Sequence, residues 1–162
     1  MAVDFFLEID GIKGESKDAT HGEQIDLLNW GWGLSQSASF HFGGGGGSGK
    51  VAFQDLHFVK RTDLATPPLM LACANGDHIK KATLYCRKAG KTPLEYIVIE
   101  MEKIIVSSLS QGGSNGEDVL TESCSFNFAK CSLKYVKQSD TGGEDTSKTF
   151  KWDIEANKGD VS

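Results

Sequence analysis

The chain has 162 residues, of which 39% are hydrophobic and 24% charged, so it can bury one core without disulfides or metal ions. Its 17 Lys and Arg against 22 Asp and Glu give a net charge of −5, which argues against binding to a nucleic-acid backbone. No apolar run approaches the roughly 18 residues of a membrane-spanning helix, so we expect no membrane insertion.

Most of the chain alternates between apolar and polar residues, which is the pattern of half-buried β-strands. Val3 to Ile9 alternates first, and Asp4 and Glu8 interrupt its apolar character, so it does not resemble a secretory signal peptide. A change of phase between Leu27 and Leu28, within the apolar segment 25–34, predicts a β-bulge or a bend rather than two separate strands. Further alternating segments lie at 51–58, 82–86, 94–109, 120–128, 131–135 and 150–154.

One short helix is predicted among the strands. Thr66 is a suitable N-cap, Pro67 suits the first helical position, and Asn75-Gly76 marks the end. The sequence therefore predicts a single mainly β domain over residues 1–162, with about eight or nine antiparallel strands in a closed or nearly closed barrel or sandwich. Four polar, Gly-rich segments are predicted to be flexible loops: 11–22, 42–50, 111–118 and 140–148.

Two Gly-rich motifs match catalytic patterns but lack their context. Gly44 to Val51 approaches the phosphate-binding pattern GxxxxGK[ST], yet Val51 replaces the hydroxyl residue and a strand follows instead of a helix. Gly112 to Gly116 matches GxSxG, but a strand again follows, and all 4 histidines precede Ser114. Neither motif therefore predicts an enzyme, and a hydrolase that uses Ser114 stays an alternative.

The histidines and cysteines form no metal-binding motif. The 4 cysteines lack a C-x-x-C pair, and no H-x-H, H-x-x-H or H-E-x-x-H occurs. We therefore expect reduced cysteines, no metal and no cofactor. These residue patterns alone favour a binding or assembly role.

Several segments, all in one order, resemble the haemolysin-coregulated protein (Hcp) family, whose members are tube subunits of bacterial type VI secretion systems. The similarity runs from Met1 to about Tyr135 and continues more loosely to the C-terminus. The segments that carry it are GIKGES at 11–16, residues 21–32, GGGGGSGK at 43–50, TPPLMLACANG at 66–76, LYCRKAG at 84–90, VSSLSQGGSNGEDVLTES at 106–123 and NFAK at 127–130.

This resemblance implies a partly closed antiparallel β-barrel of two sheets with one short flanking α-helix. It also implies hexameric rings that stack into a hollow tube, a contractile sheath around the tube, a VgrG-type spike at its tip and effectors in its lumen. Such a protein is not an enzyme. It is made in the bacterial cytoplasm and secreted through the type VI apparatus without a signal peptide.

The resemblance also indicates two functional segments. Ser114 and Asn115 are expected to face the lumen and contact effectors. A ring-stacking loop is expected at Phe42, Gly43, Gly44, Gly45, Gly46, Gly47, Ser48, Gly49 and Lys50. A monomeric barrel that binds a small ligand is the other alternative, and ring formation would exclude it as the main role.

Overall fold

A computed structural model describes residues 2–39 and 47–162, and these contain ten β-strands and one α-helix. The elements are β1 Val3–Ile9, β2 Ile25–Gly31, β3 Leu34–Ser39, β4 Gly47–Phe53, β5 Leu56–Arg61, α1 Thr66–Asn75, β6 His78–Lys88, β7 Leu94–Gly112, β8 Thr121–Gln138, β9 Glu144–Asp153 and β10 Lys158–Val161. The strand count differs from the predicted eight or nine because Trp32 and Gly33 separate β2 from β3 and because β10 was not recognised.

Six antiparallel strands form a closed barrel in the order β8-β5-β2-β1-β6-β7, and β7 pairs with β8 to complete the circle. The prediction of a mainly β fold with a barrel and one short helix is confirmed. The barrel closes completely, and the second of the two predicted sheets is a separate ribbon of β3 and β4. The predicted bulge is confirmed, since the β2–β5 register shifts between Leu27 and Asn29.

The inward side chains of the barrel strands form one continuous hydrophobic core. Phe58 and Phe126 are fully buried, and their rings meet edge to face with centroids 5.0 Å apart. Leu84, Ile99 and Met101 are also fully buried and belong to the same core. The barrel interior is therefore filled by side chains, as small barrels require.

The helix begins at Thr66, one residue earlier than predicted, so Ala65 and not Thr66 occupies the N-cap position. The Thr66 hydroxyl does not cap the helix because it takes part in a buried hydrogen-bond network described below. The end at Asn75 is confirmed: Gly76 follows with a φ of 69°, the left-handed conformation in which glycine is favoured.

Strands β9 and β10 extend the sheet beyond the barrel from β8. The predicted flexible segment 140–148 is only partly a loop, because Glu144 to Lys148 belong to β9. Its remaining residues form a turn in which the Gly142 N–H donates to the Ser139 carbonyl over 3.0 Å.

All 4 cysteines are free thiols, as predicted. Burial raises the pKa of Cys86 and of Cys124 to about 12, and the pKa of Cys131 to about 11. These three thiols therefore stay protonated and unreactive at neutral pH. Within residues 2–39 and 47–162, no helix is long and apolar enough to cross a membrane.

Candidate functional site

The predicted stacking segment at 42–50 overlaps the β3–β4 arm, the antiparallel ribbon formed by Leu34–Ser39 and Gly47–Phe53. Phe42, Gly43, Gly44, Gly45 and Gly46 lie outside the described residues. Gly47, Ser48, Gly49 and Lys50 belong to β4, so the prediction of a loop through Lys50 is wrong at that end. Pairing of Ser39 with Gly47 shows that the ribbon is already formed there.

An aromatic cluster fixes the base of the β3–β4 arm to the barrel. The rings of Trp32 and Phe53 contact Phe128, with centroid distances of 5.9 and 6.1 Å. Phe128 is itself part of the barrel core. Further along the arm, a Cβ atom at Gly49 would collide with Ser37, so only glycine permits this close approach of the two strands. The arm is thus anchored to the wall of the barrel.

Ser114 and Asn115 lie in the 113–120 loop, which joins β7 to β8 and is exposed throughout. The Glu117 N–H donates to the Ser114 carbonyl over 3.3 Å, and Gly116 has a φ of 99°. A strand follows the loop, whereas a nucleophile elbow requires a helix. A cavity of about 330 Å³ beside Ser114 is lined by Ser110, Gln111, Gly112, Gly113, Glu117, Thr121, Glu122 and Ser123, with no histidine among them.

The described part of the stacking segment, Gly47 to Lys50, belongs to an arm that starts at the opposite end of β5 from the 113–120 loop. The β3–β4 arm leaves the barrel just before Leu56, at one end of β5, while Arg61 at the other end pairs with Thr121, next to the 113–120 loop. Five residue steps along a strand separate these ends by roughly 17 Å. Helix α1 follows β5 and starts on the same side as the loop, and the Thr62 N–H donates to the Leu120 carbonyl over 2.9 Å.

Beneath the 113–120 loop lies a buried ion pair that sequence reasoning missed. Lys60 is fully buried, and its ammonium group contacts the Glu122 carboxylate, which is also buried. Lys60 also donates to Asp63 over 2.7 Å and to the Thr66 hydroxyl over 3.0 Å. Gln111 at the end of β7 donates to Glu122 over 2.7 Å. We call these residues the Lys60 network.

The sequence did contain a signal for the Lys60 network. Lys60 continues the inward phase of Leu56 and Phe58, and Glu122 precedes the inward phase of Cys124 and Phe126. Burial raises the pKa of Glu122, but hydrogen bonds from Lys60 and its other partners outweigh burial, so the pKa lies below its usual value. The pair therefore stays ionised and ties β5, β7 and β8 together at the base of the loop.

The 11–24 loop, predicted to be flexible at 11–22, is instead fastened to the outside of the barrel. The Arg87 guanidinium donates to both carboxylate oxygens of Asp18, over 2.9 and 2.6 Å, and to Asp4 over 3.2 Å. It also lies 4.8 Å from the ring centroid of Phe6. His21 is 4% exposed and stacks on Phe6, with ring centroids 4.5 Å apart. The loop thus covers Phe6 on the outside of the barrel.

The charge on Asp18 gives the 11–24 loop a dependence on pH. Hydrogen bonds from Arg87 hold the pKa of Asp18 well below its usual value near 3.8, so this contact stabilises the folded state above that pH and the contribution is lost as pH falls. We expect Asp18→Asn to lower the melting temperature at pH 7 and to flatten its decline between pH 5 and pH 3. Differential scanning calorimetry measures both, with exposed Asp140→Asn as the control. Equal slopes for wild type and Asp18→Asn would contradict this expectation.

Comparisons with known proteins agree with one another. Residues 6–135 match the family described as type VI secretion system effector, Hcp. The chain is 53% identical over 159 residues to protein hcp1 of Pseudomonas aeruginosa, which covers 97% of this chain and 98% of that protein. The crystal structure of Hcp1 from Salmonella typhimurium has 38% identity and a TM-score of 0.80, covering 99% of this chain and 100% of that one. A structure of a type six secretion system protein, 24% identical, has the same fold with a TM-score of 0.89, covering 98% and 100% of the two chains.

Proposed function

Because the chain belongs to the Hcp family of type VI secretion proteins, as its motifs predicted, we propose that it is the tube subunit of such a system. Six copies form a ring, and rings stack head to tail into a hollow tube. A closed ring and a polar stack both need heterologous contacts, in which one face of a subunit meets a different face of the next. The observation that carries the proposal is that the β3–β4 arm and the 113–120 loop leave opposite ends of β5.

The β3–β4 arm is the proposed stacking element. Its base is fixed by contacts of Trp32 and Phe53 with Phe128. Because the arm is already held in place, binding to the next ring costs it little conformational entropy. The proposed stacking contact uses residues 42–50, of which Gly47 to Lys50 are within β4.

Ser114 and Asn115 are the proposed effector contacts in the lumen. They are exposed and occupy a loop whose two ends are held by the Lys60 network, so they are presented from a rigid base. We expect Ser114→Arg and Asn115→Arg to reduce the amount of effector that copurifies with the rings while leaving ring mass unchanged. Ser114→Ala serves as the control and should retain effector. Full effector recovery with both arginine variants would contradict this role.

The remaining proposed partners follow from family membership. A contractile sheath surrounds the tube, a VgrG-type spike caps it, and contraction exports the tube from the bacterial cytoplasm. The small-ligand-binding alternative is not favoured, because large side chains such as Phe58 and Phe126 fill the barrel. The hydrolase alternative needs a helix after Ser114, and β8 occupies that position.

The test is the mass of the purified protein, measured by light scattering after size exclusion. A mass of about six subunits is expected, and electron microscopy of the same sample at higher concentration should show rings and short stacks. A monomer at high concentration, with no rings in the images, would contradict the proposal.

A further inference from the structure

A buried histidine in the 11–24 loop has an acceptor oxygen at each of its two ring nitrogens. His21 Nδ1 lies 3.0 Å from the side-chain oxygen of Gln24, and His21 Nε2 lies within hydrogen-bond distance of a Glu95 carboxylate oxygen on β7. The imidazole is buried and stacks on Phe6. Water has little access to either nitrogen, so these two side chains must satisfy the ring.

The orientation of the Gln24 amide decides which nitrogens of His21 carry a proton. The Gln24 side-chain nitrogen donates to the Glu8 carboxylate over 3.0 Å. Since an ionised carboxylate only accepts hydrogen bonds, the Gln24 oxygen must be the atom that faces Nδ1. Nδ1 therefore donates to Gln24, and Nε2 donates to Glu95. A neutral imidazole has a single N–H, so both acceptors are satisfied only when His21 is an imidazolium.

The other titratable groups around His21 leave Glu95 as its counter-ion. These groups are Glu8 on β1, Tyr85 and Arg87 on β6, Glu95 on β7 and Asp18 in the loop itself. Tyr85, whose ring centroid lies 4.7 Å from that of His21, stays neutral because burial raises its pKa. Arg87 and Asp18 are joined in their own ion pair. Glu8 reaches His21 only through Gln24.

We infer that His21 and Glu95 form a pH-dependent latch on the 11–24 loop, which we call the His21 latch. It is closed while His21 is protonated. When the ring loses a proton, one of its nitrogens presents a lone pair to an acceptor oxygen, either that of Glu95 or that of Gln24. Two acceptors in contact cannot form a hydrogen bond and are left unsatisfied in a buried position, so the loop loses its attachment to β7.

The two attachments of the loop titrate in opposite directions. Histidine in an unfolded chain titrates near pH 6.5, so the contribution of the imidazolium is complete below about that pH and is lost as pH rises. The Asp18–Arg87 ion pair is complete above the ordinary range of aspartate and is lost as pH falls. The loop is therefore held most tightly at roughly pH 5–6. Opening at higher pH would uncover Phe6 and withdraw the Glu15 carboxylate from the Leu64 N–H, just before α1.

The first test measures the protonation state of His21 by long-range proton–nitrogen NMR of the histidine rings. At pH 7.5 an unperturbed histidine is about one tenth protonated, and the exposed residues His57 and His78 serve as internal references. Both ring nitrogens of His21 are expected to be protonated to a clearly greater extent than those of the references. A His21 ring that is no more protonated than they are would overturn the inference.

The second test measures the latch itself by hydrogen exchange. The Gly14, Ser16 and Glu23 amides donate to backbone carbonyls across the loop over 2.8, 2.9 and 2.8 Å, so their exchange reports opening of the loop. After correction for intrinsic exchange rates, their protection in the wild type should fall about tenfold between pH 6 and pH 8.5, the effect of one charge-assisted hydrogen bond. Protection that does not change with pH would overturn the inference.

Glu95→Gln tests whether the carboxylate causes this decline. An amide at position 95 can donate to Nε2 of a neutral His21 while Nδ1 still donates to Gln24, so protection should no longer fall as pH rises. Glu102→Gln removes the same charge from an exposed position on the same strand and should keep the wild-type decline. An undiminished decline in Glu95→Gln, or its loss in Glu102→Gln, would overturn the inference. Both wild-type measurements decide the question even if Glu95→Gln fails to fold.

Discussion

Replacing Lys60 with methionine is expected to lower the free energy of unfolding by about 3–5 kcal/mol. Lys60 and the carboxylate of Glu122 are both fully buried, and Asp63 is only 12% exposed. Methionine fits the space but leaves two carboxylates without their cation, and the cost of an unpaired buried charge exceeds the net value of the pair. For a domain of this size the melting temperature should fall by roughly 10 °C. Urea unfolding followed by circular dichroism measures the change.

Two further variants make this result specific. Lys13 forms an ion pair with Glu23 in which the side chains are 76% and 70% exposed, so Lys13→Met should cost less than about 1 kcal/mol. Adding Glu122→Leu to Lys60→Met removes one orphaned charge and should recover part of the lost stability. If Lys60→Met costs no more than Lys13→Met, the ion pair is not the stabilising feature described here.

Phe126→Ala is the second substitution with a large expected effect. Phe126 is fully buried at the centre of β8 and packs edge to face on Phe58. Truncation to alanine removes this contact and leaves a cavity in a filled barrel, which should cost about 3–5 kcal/mol. Tyr135→Ala is the matched control, because Tyr135 lies on the same strand and is 47% exposed. Chemical unfolding measures the free energy of unfolding of both variants. Equal decreases would mean that burial within the barrel does not determine how much stability is lost.

The strands could be predicted from the sequence wherever apolar and polar residues alternate regularly along them. Val3, Phe5, Leu7 and Ile9 keep a period of two and form one face of β1, although Phe6 on the other face is also apolar and buried. The phase change at Leu27 indicated the bulge because an extra residue must shift every later side chain to the other face. Closure of the barrel could not be predicted from periodicity. It depends on which strands pair with each other across the sequence, and the alternation within one strand does not specify its neighbours.

The candidate site could be predicted only in part. The resemblance to the Hcp family supplied the two functional segments, and the family is confirmed, while the roles of Ser114 and Asn115 stay predictions. The Lys60 network was missed because lysine and glutamate are rarely buried, although Lys60 and Glu122 continue the inward phase of their strands. The 11–24 loop was read as flexible because its residues are polar, yet Arg87, distant in sequence, provides the contacts that fasten it.

Barrel closure determines when the chain can fold during its synthesis. Strand β8 is the last of the six barrel strands and supplies the pairings to both β5 and β7. It ends at Gln138, so the ribosome must have made the chain through Gln138 before the barrel can close. At ordinary elongation rates these 138 residues take roughly 7–30 s, during which β5 and β7 lack their shared partner β8. Pairings among β1, β2, β5, β6 and β7 can form earlier, whereas closure of the barrel waits for β8.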